Sequence, residues 1–274
     1  MINITKSKRV MDMSKTQDRE KTILEALNQR KKMSIDEATA LLSISLSSAR
    51  RLFIEMENSG KVVRTHGGIH LVSTKGSEYS FEALESRNLS AKQQIAACAA
   101  DILRDDDVVY FDSGTTLLQL ALAVNARLKD NTLHRIKVIT NSFANLEVLQ
   151  DSCHVILIGG EYHAGRRAFA GYPSEKFVQS FIYKKAFLGA DGLDLNEGFM
   201  TTDTDTAKLN EVVIKRSDTS YVLLDSSKFG LRSFVSYASV SEIKTIITDN
   251  GISEDNLMQC ARANLEILVA KSGE

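Results

Sequence analysis

Residues Asp112, Ser113, Gly114, Thr115 and Thr116 follow directly on the apolar run Val108 to Phe111, placing a carboxylate, a glycine and three hydroxyls side by side. Such a set suits an anion. Apolar residues at helical spacing come next, from Leu117 to Leu128. The loop therefore opens a helix, and its first N–H groups lack intrahelical acceptors and point at whatever the loop cradles. Gly114 allows close approach of the backbone, while Ser113, Thr115 and Thr116 offer hydroxyls to phosphate oxygens. A phosphate-bearing ligand is expected here. A strand-to-helix turn capped by its own threonines would use the same residues.

Other chemistry-bearing residues also stand at the ends of apolar runs. Thr140, Asn141 and Ser142 close the run that starts at Lys137, Gly159 and Gly160 follow His154 to Ile158, and Asp191 lies just past Lys185 to Leu188. Lys228 sits in an Asp-Ser-Ser-Lys loop after Ser220 to Leu224, where it offers a mobile positive charge. Asn141 could equally hold a neighbouring strand end, and Gly159 with Gly160 could be a plain turn. His163, Arg166 and Arg167 form a basic cluster that could close over a ligand or remain a solvated loop. The five histidines, His66, His70, His134, His154 and His163, show no metal-ligand spacing. Cys98, Cys153 and Cys260 read as reduced thiols among apolar neighbours. Neither a metal nor a cofactor is expected.

The elements that must position these residues alternate. Strand-like runs at Val108 to Phe111, Lys137 to Thr140, His154 to Ile158, Lys185 to Leu188, Ser220 to Leu224, Thr245 to Thr248 and Glu266 to Ala270 are separated by helical segments. That alternation predicts a largely parallel α/β sheet, in which ligands bind beyond the carboxyl ends of the strands. One pocket would then gather all the candidates. Arg87 to Leu103 reads as a single helix joining this body to the preceding residues, with Lys92, Ile95, Ala96, Ala99 and Leu103 on one face.

Those preceding residues differ in charge. Residues 1–75 hold 14 Lys+Arg against 8 Asp+Glu, a balance of +6, which leaves −7 for residues 76–274. A basic head on an acidic body points to nucleic acid. Ile23, Leu24 and Leu27 give an amphipathic helix between Gln17 and Gln29, and Ser34 with Glu37 forms a capping box for a second helix reaching Leu42. Ser45 or Ser47 can cap a third, through Ala49 to Glu57, ended by Gly60. Two strand-like pieces follow around Gly67 and Gly68. This order is that of a winged helix-turn-helix. In such a module Ser45, Ser47, Ser48, Arg50 and Arg51 lie nearest base edges and phosphates, and Lys61, Arg64 and His66 belong to the wing. Adjacent arginines are about 100° apart on a helix, so at most one aims straight at a base.

These features together resemble the DeoR-type transcriptional repressors of bacterial sugar metabolism. The likeness rests on the serine-rich turn before Arg50-Arg51 and on Arg64-Thr65-His66-Gly67-Gly68 in the head. In the body it rests on Asp112 to Thr116, Ile139-Thr140-Asn141-Ser142, Ile158-Gly159-Gly160, Phe187 to Gly192, Asp225 to Gly230 and Ile247-Thr248-Asp249. Two positions depart from the family pattern. Leu52 stands where an Asp follows the arginine pair, and Thr206 stands where a Glu precedes Ala207.

The resemblance implies a winged helix-turn-helix domain over residues 1–75. Residues 76–274 are expected to be a parallel-sheet domain like ribose-5-phosphate isomerase and glucosamine-6-phosphate deaminase, binding the effector and forming oligomers. It also implies double-stranded operator DNA and a phosphorylated sugar as partners, a homo-oligomer (dimer or tetramer), and a ligand-driven change of the head's orientation through a flexible connection at Ser73 to Ser80. A sugar-phosphate isomerase-like enzyme is the alternative. It would need a carboxylate base, for which Asp191, Asp203 and Asp205 are candidates. No apolar run approaches the roughly 18 residues that span a bilayer, and no apolar segment follows the basic Lys6, Lys8 and Arg9. No membrane partner and a cytoplasmic location are expected.

Overall fold

The computed structural model describes residues 19–27, 30, 32–58, 62–65, 67–71 and 79–271. Gly60, Lys61, His66 and residues 73–78 of the connection lie outside them. The chain forms two compact units, Met1–Ser77 and Glu78–Glu274.

In the first unit α1 (residues 19–27) precedes β1 (Lys32–Ser34), α2 (Ile35–Leu42), α3 (Leu46–Asn58), β2 (Val62–Thr65) and β3 (Gly68–Leu71). The capping box forms as expected: Glu37 N–H donates to Ser34 Oγ at 3.1 Å, and Ser34 N–H donates back to the Glu37 carboxylate at 2.6 Å. α2 stops at Ser43, whose φ of 50° is left-handed. Ser45, not Ser47, caps α3, accepting from Ser48 N–H at 3.3 Å. Ile23, Leu27, Ala38, Phe53, Met56 and Ile69 bury a small apolar core. The wing hairpin β2–β3 gains a third strand, β1, that pairs antiparallel with β3. Three residues around the capping serine are too few for an alternating pattern to show.

The second unit opens with a helix that the sequence did not suggest, lying ahead of the expected one. α4 (Phe81–Glu85) precedes α5 (Leu89–Ala100), the helix expected over Arg87 to Leu103, which starts after Asn88 with its left-handed φ of 51°. The expected face turns inward, since Lys92, Ile95, Ala96, Ala99 and Leu103 are all buried. β4 (Val108–Phe111), α6 (Thr115–Lys129), β5 (Lys137–Thr140), α7 (Phe143–Leu149) and β6 (His154–Leu157) follow. Next come the hairpin β7 (Glu161–His163) and β8 (Ala168–Ala170), then α8 (Tyr172–Val178), β9 (Lys185–Gly189), β10 (Gly192–Asp194), β11 (Gly198–Thr201) and α9 (Thr204–Lys215). The chain ends with β12 (Ser220–Leu223), β13 (Val235–Ala238), β14 (Thr245–Thr248), α10 (Glu254–Arg262) and β15 (Glu266–Val269).

Seven of these strands form one parallel sheet in the order β15-β14-β12-β9-β4-β5-β6. Alternate residues feed two cores. Val109, Phe111, Phe187, Leu223 and Ile247 pack with α5 and α6, whereas Tyr110, Ala186, Leu188, Val222 and Ile246 pack on the α9 side. Burial on both faces is why these strands read as continuous apolar runs rather than alternating ones. β10, β11 and β13 make a separate antiparallel sheet that the α/β alternation does not announce.

The strand order decides where a ligand goes. From β4 the chain steps outward to β5 and β6, then returns to place β9 on β4's other side and continues to β12, β14 and β15. The reversal opens a crevice at the carboxyl ends of β4 and β9.

Candidate functional site

That crevice holds a cavity with about 640 Å³ of open space communicating with solvent. The loop after β4 forms one wall, with Asp112, Ser113, Gly114, Thr115 and Thr116 all lining it. Gly114 has a φ of 122°, which side-chain-bearing residues rarely adopt, and it caps α6 without any side-chain hydrogen bond. The turn is therefore not capped by its own threonines. Intrahelical bonding begins only at Leu118 N–H, which donates to Gly114 O at 3.0 Å, so the α6 N–H groups of Thr115 and Thr116 precede it.

Asp112 itself is buried and held by three donors. Ser113 N–H reaches one oxygen at 2.7 Å, while Gly189 N–H and the Asn210 amide reach the other, each at 3.1 Å. Burial nonetheless pushes its carboxyl up to about 6, against the opposing pull of those donors and Arg166. Asp191, after β9, behaves oppositely. Burial raises its pKa, but the Arg166 guanidinium at 3.2 Å, the Lys228 charge and the Thr202 N–H at 3.0 Å outweigh that and hold it below the usual carboxylate range.

The cations come from separate elements. Arg166 arrives on the β7–β8 hairpin, nearly buried, and also donates to the hydroxyls of Thr201 and Thr202. Lys228 ends the short turn Ser226–Lys228, organised by Asp225, which accepts Ser227 N–H and the Asn88 amide, each at 3.1 Å. Its ammonium makes no ion pair among the described residues. Lys92 on α5 is buried, donates to Leu84 O, and is pulled down to about 8 by burial, with Lys228 and Arg87 adding to the shift and Asp225 opposing it.

Seven of the twelve expected ligand residues thus meet in the cavity: Asp112 through Thr116, Asp191 and Lys228. The other five do not line it. Thr140, Asn141 and Ser142 end β5, on the side of β4 away from the crevice. There Thr140 Oγ1 accepts from Ser142 N–H and the Asn145 amide, the Asn141 amide donates to Phe169 O, and Ser142 Oγ caps α7. Gly159 and Gly160 pack against Ser174, whose hydroxyl donates to Gly159 O. Their polar groups serve the fold. Of the basic cluster only Arg166 reaches the cavity; Arg167 pairs with Glu147, and His163 Nδ1 lies 3.7 Å from Asp203.

Tyr79, Arg87, Lys92 and Thr201 also line the cavity, although no motif marks them as ligands, as do Asp225 of the Asp-Ser-Ser-Lys loop and Thr206 at its departure from the family pattern. Lys92 left one usable signal, a lysine at a core position of an otherwise apolar helical face. Thr206 donates its hydroxyl to Asp203 while its N–H is accepted by the same carboxylate, which starts α9.

In the head, Ser45, Ser47, Arg50, Arg51 and Arg64 are exposed and Ser48 is half-buried. The hydroxyl of Ser45 links to those of Ser47 and Ser48, each at 3.0 Å. Arg51 lies 3.8 Å from Glu55 within α3, and Arg64 lies 3.5 Å from Glu57, which ties the wing to the recognition helix. Leu52 is buried in the head's core, and Glu55 supplies Arg51 with a carboxylate in place of the one that the Asp-to-Leu departure removes.

Comparison with known families matches residues 19–75 to the DeoR-like helix-turn-helix domain and residues 87–250 to the DeoR C terminal sensor domain. The chain belongs to the DeoR family. It is a DNA-binding transcriptional regulator with a sensor domain. Among relatives of this DeoR-family chain, the HTH-type transcriptional regulator GlpR of Haloferax volcanii is 30% identical over 92% of this chain and 96% of that protein. The lactose phosphotransferase system repressor of Lactococcus lactis is 33% identical over 86% and 91% respectively. The L-fucose operon activator of Haemophilus influenzae is 30% identical over 90% and 97%. A ribose 5-phosphate isomerase from Methanocaldococcus jannaschii superposes on 52% of this chain and 55% of its own, at a TM-score of 0.40 and 17% identity. A likeness at that level carries no functional weight.

Proposed function

We propose that the sensor domain binds a phosphorylated sugar and that this binding sets the head's affinity for operator DNA, making the chain a ligand-controlled repressor of a carbohydrate-utilisation operon. The observation that carries the reading is the make-up of the cavity. The N-terminus of α6, where Gly114 supplies no side-chain cap, shares one space with Lys228, which has no ion pair among the described residues, with buried Lys92 and with the carboxylates Asp112 and Asp191. The helix end and the lysines suit a phosphate, and the carboxylates suit sugar hydroxyls. Asp112 through Thr116, Asp191 and Lys228 are the ligand residues in this reading, joined by Arg87 and Lys92.

Operator contacts fall to Ser45, Ser47, Ser48, Arg50 and Arg51 of α3, and to Arg64 with Lys61 and His66 of the wing. A homo-oligomer working in the cytoplasm on pseudo-palindromic DNA completes the reading. Among the described residues no helix is long and apolar enough to cross a membrane.

Asp112 gives the enzyme alternative its one specific support, because a carboxyl held near 6 beside a ligand cavity suits a general base. Three donors already occupy its oxygens, however, and the relatives' printed names favour regulation. The deciding experiment is a mobility shift on DNA from upstream of the chain's own transcription unit. It is run at fixed salt with hexose and pentose monophosphates, and each compound is also assayed for turnover. A specific shift altered by one sugar phosphate, without turnover, is expected. Turnover without a specific shift overturns the regulator's proposed ligand logic in favour of an isomerase.

A further inference from the structure

Tyr79 belongs to none of the motifs above, yet three contacts pin it at the cavity. Its hydroxyl lies 3.6 Å from where a side chain on Gly114 would begin, over the first turn of α6 and near enough to the Thr115 N–H to feel that dipole. The guanidinium carbon of Arg166 stands 4.1 Å from the centre of its ring. Its carbonyl packs so closely on Gly165 that a Cβ there would approach to 2.5 Å. Two residues later Phe81 is fully buried with Leu118 and Ala144, and Ser80 caps α4, so the chain beyond Tyr79 is anchored in the body. Before Tyr79 the chain leads back to the wing.

The phenol and an anion need the same place. A phosphate oxygen bonded to the Thr115 N–H would sit about 2.9 Å from that nitrogen, inside the volume the Tyr79 hydroxyl borders. The anion is the stronger occupant, because the helix end and Arg166 both favour a full negative charge over a neutral phenol. The phenol stays neutral, since burial pushes its pKa up.

We propose that Tyr79 is a plug displaced by the ligand: its phenol reaches into the anion subsite at the start of α6, and the phosphorylated effector must expel it. Displacement moves a residue at the body's end of the segment that joins it to the helix-turn-helix. It thereby supplies what any effector needs, two states of the protein with different affinity for the ligand. The inference rests on the sugar-phosphate reading of the cavity.

The test uses the full chain, calorimetric titration with the same hexose and pentose monophosphates, and the mobility shift. Tyr79→Ala removes the competitor, so a monophosphate that binds wild type is expected to bind more tightly, by about 5- to 150-fold, and to lose its effect on DNA affinity. Tyr79→Phe keeps the ring on Arg166 and falls between. A gain in affinity is not what structural damage produces. Tyr79→Trp, in a chain with no other tryptophan, is expected to shift its emission to longer wavelength as the ligand enters. Should Tyr79→Ala fold poorly, Gly165→Ala unseats the same carbonyl from the other side and is expected to tighten binding too. Unchanged or weaker binding in these variants, with the DNA response intact, overturns the plug while leaving the site reading standing. If wild type binds none of the monophosphates, the site reading falls and takes the plug with it.

Discussion

Replacing Asp112 with asparagine separates the electrostatics of the cavity floor from its packing. In the fold this carboxyl titrates at about 6 instead of 3.8, chiefly because it is buried. About two pKa units correspond to roughly 3 kcal/mol by which the native state disfavours the ionised group at neutral pH. The sign follows from proton binding. Between 3.8 and about 6 the native chain holds more protons than the unfolded one, so Asp112's contribution to stability falls as pH rises and is constant above that window. About 2 kcal/mol of the change lies between pH 4.5 and 7.5.

The asparagine introduced by Asp112→Asn does not titrate, and it adds a cost that does not vary with pH. Its amide NH₂ must face the N–H of either Ser113 or Gly189, which leaves one buried donor unpaired at about 1–3 kcal/mol. Urea unfolding of both chains, followed by far-UV circular dichroism across this pH range, measures the difference. The head's transition serves as an internal control, since the two units need not unfold together. The stability of Asp112→Asn relative to wild type is expected to rise by about 2 kcal/mol from pH 4.5 to 7.5. A flat or falling difference would refute the assignment of a raised carboxyl.

Three further outcomes can be checked. Lys228→Ala removes the cavity's ammonium, and a monophosphate's Kd measured by calorimetry should rise about 10- to 150-fold, the equivalent of about 1.5–3 kcal/mol, with DNA binding kept. Arg50→Ala should weaken operator binding and flatten its salt dependence while sugar-phosphate affinity stays constant; losing both functions would mean the two sites are not separable. Ser34→Ala breaks the capping box and should lower the head's stability by about 0.5–2 kcal/mol in thermal melts, with the body's transition unmoved.

Much of this molecule can be read locally. Val108–Phe111, Lys137–Thr140 and Thr245–Thr248 are strands with the limits their apolar runs suggest, because burial between two layers leaves an unbroken hydrophobic signature. Ser34 and Glu37 announce α2 because both partners of the capping box lie within one turn. The start of α5 after Asn88 rather than at Arg87 leaves no such mark, since asparagine is tolerated both inside a helix and in the left-handed conformation that bounds one.

The cavity is a different matter. Thr140-Asn141-Ser142 and Asp112-Ser113-Gly114 are alike in composition and both end strands, yet one caps a helix and ties loops while the other lines the cavity. What separates them is strand order. β9 returns beside β4, so Gly189 and Asn210, 77 and 98 residues away from Asp112, become its hydrogen-bond donors. The sites of Tyr79, Arg166 and Lys92 depend on the same kind of long-range closure. Composition and short spacing therefore determine the elements, the caps, the basic head and the family to which the chain belongs, because those depend on neighbours within a turn or a strand. Which strand ends face each other, and which polar groups are left for a ligand, depends on non-local packing that no short stretch encodes.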